Sequence, residues 1–479
     1  MVKLLNIFLL FYVILIAGCT PRDYYSRERY APDAPDKFVN QPESLSGADD
    51  EYEFFSGKWW EQFQDPETNR LVQTALKNNP SIKSAFSRVN QAKQNLNIQA
   101  SQDWPYANLE MSASRGKDMP AYKTSDNLQA GLRINYLLDL FGKQAAGERA
   151  ALERFLASRE SRLSVMHSVV SSTVKLRALS VVASRQLRVS RQNARSWEKT
   201  AKTVERRYQN GVANVSEVHL AKQNLASVRA EIPDYEKQLK NYLYSLDIIL
   251  GRPPGETQLK EDEIGLPEPA ELAEIVPASL LDRRPDLRAS RRRLAAAVQD
   301  LNVSIADMYP QISLTTSAGR LSEDFSGLLE SKNSVYSIAA NITQPLFEGG
   351  RLKAAVKYNK ARVEELALEY SKSFLDALKE VETLLMQEKL YNIRLKNLNE
   401  SLKQAKKAER SIKREYNSGL AAFTALLQAE RRRRNTEFQV NYMTGQIWVN
   451  RCNLHLALGG NWEMGQDNKK TKRGGIDAK

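Results

Sequence analysis

Cysteine is nearly absent from this sequence: two residues in 479, Cys19 and Cys452. That count excludes a disulfide framework. Histidine is as sparse: His167, His219 and His455 stand apart, none at the spacing of a zinc site. There is no Walker motif, nucleophile elbow or dinucleotide fingerprint. No catalytic residue, metal or cofactor is therefore expected, and the Asp and Glu scattered along helical stretches read as solvent-facing. No apolar run reaches the ~20 residues that a membrane-spanning helix needs. Acidic residues are too few to balance the basic ones, and the formal net charge is +13, which raises nucleic acid as a partner. Yet no nucleic-acid motif accompanies the tightest basic clusters, Arg291–Arg293 and Arg431–Arg434. Both read as solvated or ion-paired helix faces.

What is present begins at the N-terminus. Lys3 precedes an apolar run from Leu4 to Gly18, the length of a signal peptide. The run ends in "IAGC", and small residues ahead of Cys19 resemble the lipobox of bacterial lipoproteins. That resemblance implies a diacylated Cys19 as the mature N-terminus. Thr20 follows where an inner-membrane retention signal would place Asp. Cys452 is left as a small buried apolar residue. Residues 1–18 are thus a signal peptide, 19–50 a tether rich in Pro, Asp, Ser and Tyr, and 463–479 a basic tail.

Between tether and tail the chain repeats itself. "WPYANLEMSAS" at Trp104 matches "YPQISLTTSAG" at Tyr309, and "YQNGVANVS" at Tyr208 matches "YNSGLAAFT" at Tyr416. The two units span 51–265 and 266–462. Each reads helix, strand, loop, strand, long helix, tight turn, helix. The strands fall near 105–115, 127–141, 310–319 and 334–347 and the turns near 210–214 and 418–422. In the second strand Leu128, Ala130, Leu132, Ile134, Tyr136 and Leu138 alternate with Gln129, Gly131, Arg133 and Asn135. This period of two marks one apolar and one wet face. The long helices carry a different period. From Val363 to Tyr416 a strict 4-3 spacing picks out 16 positions, and all but Glu388 and Glu409 are apolar. That is a coiled-coil seam. In the first unit Arg159 and Arg162 interrupt it.

Strands with a lipid-like face must close, since hydrocarbon tolerates no open edge. Four strands per chain fall short of the ~8 of the smallest common membrane barrels. The chain must therefore oligomerise, as a dimer, trimer or tetramer, and each strand continues into a helix of the same ring.

Here the sequence resembles the outer membrane factors of bacterial efflux and type I secretion systems, the TolC-like proteins, and in particular their lipidated NodT-type branch. The likeness runs from "WWEQFQDPETNRLVQTALKNNP" at Trp59, through "LLDRRPDLRASRRRLAAA" at Leu280, to "LALGGNW" at Leu456. It implies a mainly α protein with a membrane β portion: a homotrimer with a 12-stranded outer-membrane barrel on a 12-helix periplasmic tunnel. A mixed collar from residues 51–78, 251–283 and 458–479 would surround the tunnel. The implied function is an exit duct that meets a periplasmic adaptor and an inner-membrane pump. The alternative is an outer-membrane-anchored coiled-coil lipoprotein without transport. By the same resemblance, the adaptor-contact residues are Tyr208, Gly211, Val212, Ala213 and Val215 in the first turn. Tyr416, Gly419, Leu420, Ala421 and Phe423 are their counterparts in the second. Glu217 is the acid expected at the aperture. The second turn departs from the pattern with Ala425 and Gln428, and an apolar plug around Val215 and Phe423 is the expected substitute.

Overall fold

The computed structural model describes residues 38–39, 58–118, 123–259 and 283–459. The signal peptide, Cys19, nearly all of the tether, the basic tail and much of the collar segments lie outside these. The described helices are α1 (Pro66–Asn78), α2 (Pro80–Ala100), α3 (Lys143–Gln209), α4 (Val215–Ile249), α5 (Pro285–Ala306), α6 (Arg351–Asn417) and α7 (Phe423–Ala457). The strands are β1 (Tyr106–Asp118), β2 (Lys123–Leu138), β3 (Gln311–Ser322) and β4 (Ser334–Thr343). No described helix is long and apolar enough to cross a membrane.

The chain forms two compact units, and each takes segments from both sequence repeats. Of the described residues, one unit takes those within Phe86–Ser161 and Asp286–Phe374; the other takes those within Ala34–Ala85, Arg162–Pro285 and Leu375–Lys479.

The first unit contains the sheet, antiparallel in the order β1-β2-β3-β4. Its register aligns the alternations of all four strands. Leu109 faces Leu132, which faces Ala318, which faces Tyr336. One row nearer the helices Ile134, Thr316 and Ile338 line up, and then Tyr136, Leu314 and Ala340. A one-residue slip would move each set to the opposite face; in this register the sets form an apolar band across all four strands, ended outward by Arg320, Arg115 and Asp126 on the same face. The first hairpin runs further than the alternation alone suggests, pairing as far as Asp118 with Lys123, and Arg115 lies 3.3 Å from Asp126 within this extension. β2 stops at Leu138, and the Asp139 carboxylate accepts the amide of Ala145 at 2.9 Å in the first turn of α3. That side-chain bond satisfies a helix amide without an intrahelical partner and ends the strand. β4 stops at Thr343, just ahead of Pro345, which has no N–H to give a ladder. In the same unit Leu294 and Leu301 of α5 pack on Val363 and Ala367 of α6. Arg288 of α5 donates to Glu160 of α3 at 2.8 Å, and Arg292 pairs with Glu153 at 3.1 Å. Within the cluster Arg291–Arg293, Arg292 is thus ion-paired, and Arg293 donates to the Ser161 hydroxyl at 3.0 Å.

The second unit is helical. Trp59, Trp60 and Phe63, in a short 3-10 helix, pack with Val174, Trp448 and Cys452. Asp65 caps α1, accepting the Glu67 amide at 3.2 Å, and also receives the buried Arg177 guanidinium at 3.2 Å. Cys452 is fully buried, and burial pushes its thiol up to about 12. It is the small apolar core residue expected of it.

Candidate functional site

The two helix-to-helix turns close in the same way. At the first, Gly211 donates to the Tyr208 carbonyl at 2.9 Å and Val212 to that of Arg207 at 2.8 Å. At the second, Gly419 donates to Tyr416 at 3.1 Å and Leu420 to Glu415 at 2.8 Å. Each pair of bonds is a Schellman motif, which needs a left-handed residue just past the helix end. Gly211 and Gly419 supply it with φ of 73° and 78°. A Cβ on either would meet nothing within 4 Å. The backbone angle, not crowding, therefore requires glycine.

Around these turns the expected residues divide into two groups. Tyr208, Val212 (65% exposed), Val215 and Leu420 (82%) reach solvent, and Ala213 and Ala421 are half-buried beside them. Tyr416 and Phe423 do not: they are 4% and 2% exposed, within a cluster that includes Trp197, Val204, Val218 and Leu426. Phe423 is thus a packing residue in the single chain, and of the two residues expected at the plug only Val215 reaches solvent. The reason is geometric: Phe423 starts α7 on the face turned toward α3 and α4, where its ring lies 5.5 Å from that of Tyr416.

Tyr416 joins the two turns. Its hydroxyl donates to Glu217 Oε2 at 3.3 Å. Its carbonyl accepts Arg207 Nη1 at 3.1 Å, and the same guanidinium sits 4.8 Å from its ring centroid. Burial, with the Glu217 charge beside it, raises the Tyr416 hydroxyl above its ordinary range. Arg207 went unnoticed in the sequence because its partner lies 209 residues away.

The scattered acids are not all solvent-facing. Glu388, one of two breaks in the α6 seam, is buried and accepts Arg451 Nε at 2.9 Å and Asn450 Nδ2 at 2.9 Å. Asp247 is fully buried and accepts the amides of Gly255 at 2.8 Å and Thr257 at 3.0 Å. Glu430 of α7 is buried with Oε1 lacking a hydrogen-bond partner. Burial pushes its carboxyl up to about 7, against the nearby cations Lys413, Arg433 and Arg434. Glu388 is compensated by residues 62 and 63 positions on, which no local pattern reveals, whereas Asp247 is met by amides 8 and 10 positions away. His455 is likewise no candidate ligand. It stacks on Trp59 at 4.8 Å, and burial pushes its imidazole down to about 3.

The sheet has its own asymmetry. Its apolar face is largely open to solvent in the single chain, as at Leu109, Met111, Tyr336 and Ile338. Its other face carries Asn135 and Thr315, bonded at 3.0 Å, and Ser317 and Ser337, bonded at 2.8 Å. On that polar face Gly131 pairs with Gly319. A Cβ on Gly131 would lie 2.9 Å from the Ala318 carbonyl, and one on Gly319 would lie 2.6 Å from the Gly131 Cα. At this pair the two strands approach too closely for a side chain on either.

The comparisons with known proteins agree with one another. A family model described as outer membrane efflux protein matches residues 71–252 and 276–460. A probable outer membrane lipoprotein of Salmonella typhimurium, SilC, is 28% identical over 465 residues, covering 96% of this chain and 99% of that protein. The pyoverdine export outer membrane protein OpmQ of Pseudomonas aeruginosa is 30% identical over 425 residues, 85% of this chain and 88% of that one. Among solved structures the outer-membrane channel OprN has a TM-score of 0.80 at 24% identity, over 90% of this chain and 99% of that chain.

Proposed function

This chain belongs to the outer membrane efflux protein family, an efflux duct of the outer membrane and not an enzyme, and on that premise we propose that three copies close a single channel. Twelve strands would form the barrel and twelve helices the periplasmic tunnel. The observation that carries this reading is the sheet. It has an apolar band across all four strands and two outer strands, β1 and β4, whose far edges are unpaired among the described residues. Unpaired backbone cannot face hydrocarbon. Joining β4 of one copy to β1 of the next removes every edge, and turning the apolar face to lipid puts the polar face in the lumen. Beyond Glu388, the α6 seam residues Tyr391, Leu395, Leu398 and Leu402 are only half-buried, and Leu390 and Ile393 are exposed. A neighbouring copy would cover this stretch.

The tips would dock a periplasmic adaptor, which links the duct to an inner-membrane pump. Tyr208, Gly211, Val212, Ala213, Val215, Gly419, Leu420 and Ala421 form the contact face, and Tyr416 and Phe423 support it from within. Three copies of Glu217 would place acid at the aperture and attract cations. A lipid on Cys19 would add a membrane anchor, which the mass of the mature N-terminal peptide checks.

Export in a strain lacking the chromosomal gene tests the whole reading. Ile134→Arg puts a charge on the lipid face at about 2–4 kcal/mol and should abolish assembled trimers, whereas Asn135→Arg should keep them. Equal damage from both would overturn the barrel assignment. Gly211→Val and Gly419→Val should leave trimers in the outer membrane but abolish export and adaptor crosslinking. Normal export by both would remove the docking role.

A further inference from the structure

The lumenal face of the sheet is almost free of charge. Reading the polar positions from the helix end outward, the four strands contribute mainly Asn, Ser, Thr and Gln. Two charged residues stand within this face, Glu110 of β1 and Arg133 of β2, and they pair at 3.3 Å with both side chains 44% exposed. The next charges outward on the same face, Asp118 and Lys123, are themselves partners in register at the outer end of the hairpin. Glu110 shares its row with Gly131 and Gly319, so no side chain stands beside it on either of the next two strands. Glu110 therefore projects over bare backbone, and Arg133, flanked by Asn108 and Ser317, reaches it from the adjoining row.

We propose that the Glu110–Arg133 pair is the element that sets charge selectivity in the barrel, holding it neutral. The inference rests on the trimeric barrel. There the symmetry turns one pair into a ring of three, with three carboxylates and three guanidiniums at one level of the lumen. Opposite charges 3.3 Å apart largely cancel at the distance of the channel axis, since the field of a close pair falls faster than that of a single charge. The hydroxyls and amides around the ring hydrogen-bond to cargo without regard to its charge. Such a barrel admits cations, anions and neutral polar solutes alike. Removing one partner leaves three like charges facing inward.

Purified full-length protein in planar bilayers under a potassium chloride gradient gives the reversal potential directly. Arg133→Gln leaves the ring of Glu110, and the cation-to-anion permeability ratio should rise roughly threefold or more even with salt screening. Glu110→Gln leaves the guanidiniums and should shift the ratio the opposite way by a similar factor. The double variant, and the swap Glu110→Arg with Arg133→Glu, should return it to the unmodified value. Channels that form with unchanged reversal potential in both single variants would overturn the proposal. So would a double variant that fails to restore it. Absence of any channel from the unmodified protein would instead strike the barrel reading beneath it.

Discussion

The hairpin of α3 and α4 and the hairpin of α6 and α7 have the same lengths, 67 and 35 residues, and close with the same turn, yet they are buried differently. Along α3 the seam positions from Met166 through Val204 are buried, Leu176 apart. Along α6 the equivalent positions are buried only as far as Glu388 and are half-open from Tyr391 through Ile412. Duplication preserved the backbone, and substitution then divided the surfaces. The seam of the first hairpin is covered by its own chain, while the stretch of the second from Tyr391 to Ile412 keeps apolar residues half-open. The same division runs through individual equivalent positions, 208 residues apart, and these are where the comparison can be pressed.

The largest difference is expected at Glu388 and its counterpart Ser180. Glu388→Ala removes the carboxylate of a buried ion pair with Arg451, and losing one partner of such a pair costs about 3–5 kcal/mol. Ser180 is equally buried, but its hydroxyl bonds only the Leu176 carbonyl one turn back, at 2.7 Å. Ser180→Ala should cost about 1 kcal/mol. Thermal unfolding of the two variants in detergent measures this. Comparable losses would mean that the α6 seam gains nothing from its ion pair.

A smaller, pH-dependent difference should separate Glu430 from its counterpart Lys222, which is exposed and pairs with Glu205 at 2.7 Å. The folded carboxyl of Glu430 titrates near 7 against an ordinary 4.5. Between these values the folded hairpin holds a proton that the unfolded chain releases. Its stability contribution is full below about pH 4.5 and is lost as pH rises through 7, a change on the order of 3 kcal/mol. Protection of the α7 amides near Glu430, taken relative to the intrinsic exchange rate at each pH, should fall across that window, protection of the α4 amides near Lys222 should not, and Glu430→Gln should flatten the α7 profile. A pH-independent α7 would show that the buried carboxylate finds compensation.

The smallest difference lies at the tips. Asn214 caps α4 through a bond from the Glu217 amide to its side chain at 2.9 Å, while Ala422 at the same place before α7 makes no side-chain cap. Asn214→Ala should lower first-tip stability by about 1 kcal/mol, and Ala422→Asn should raise that of the second by a similar amount. Protease nicking rates at the two turns report both. An unchanged second tip would mean that the buried Phe423 already fixes the start of α7.

Several features of the molecule follow from sequence alone because they rest on local periodicity and local backbone chemistry. The alternation around Leu132 and Arg133 defines two strand faces, and the 4-3 spacing from Val363 defines a seam. Gly211 and Gly419 mark turns that need a left-handed residue, and the match of Tyr208 with Tyr416 exposes the duplication. Each is a relation between residues a few positions apart, or between two copies of one pattern. The tertiary structure decided what depends on distant partners. Glu388 looked like a flaw in the seam until Arg451, 63 residues on, arrived beside it. Tyr416 and Phe423 looked like surface at a tip until four helices closed over them. Arg207 had no visible role until the Tyr416 ring and carbonyl met it, and nothing in β2 or β3 by itself revealed that Gly131 would press against Gly319. Periodicity fixes which way a side chain points along its own element, but its burial, charge state and partner are set by whichever element folds against it.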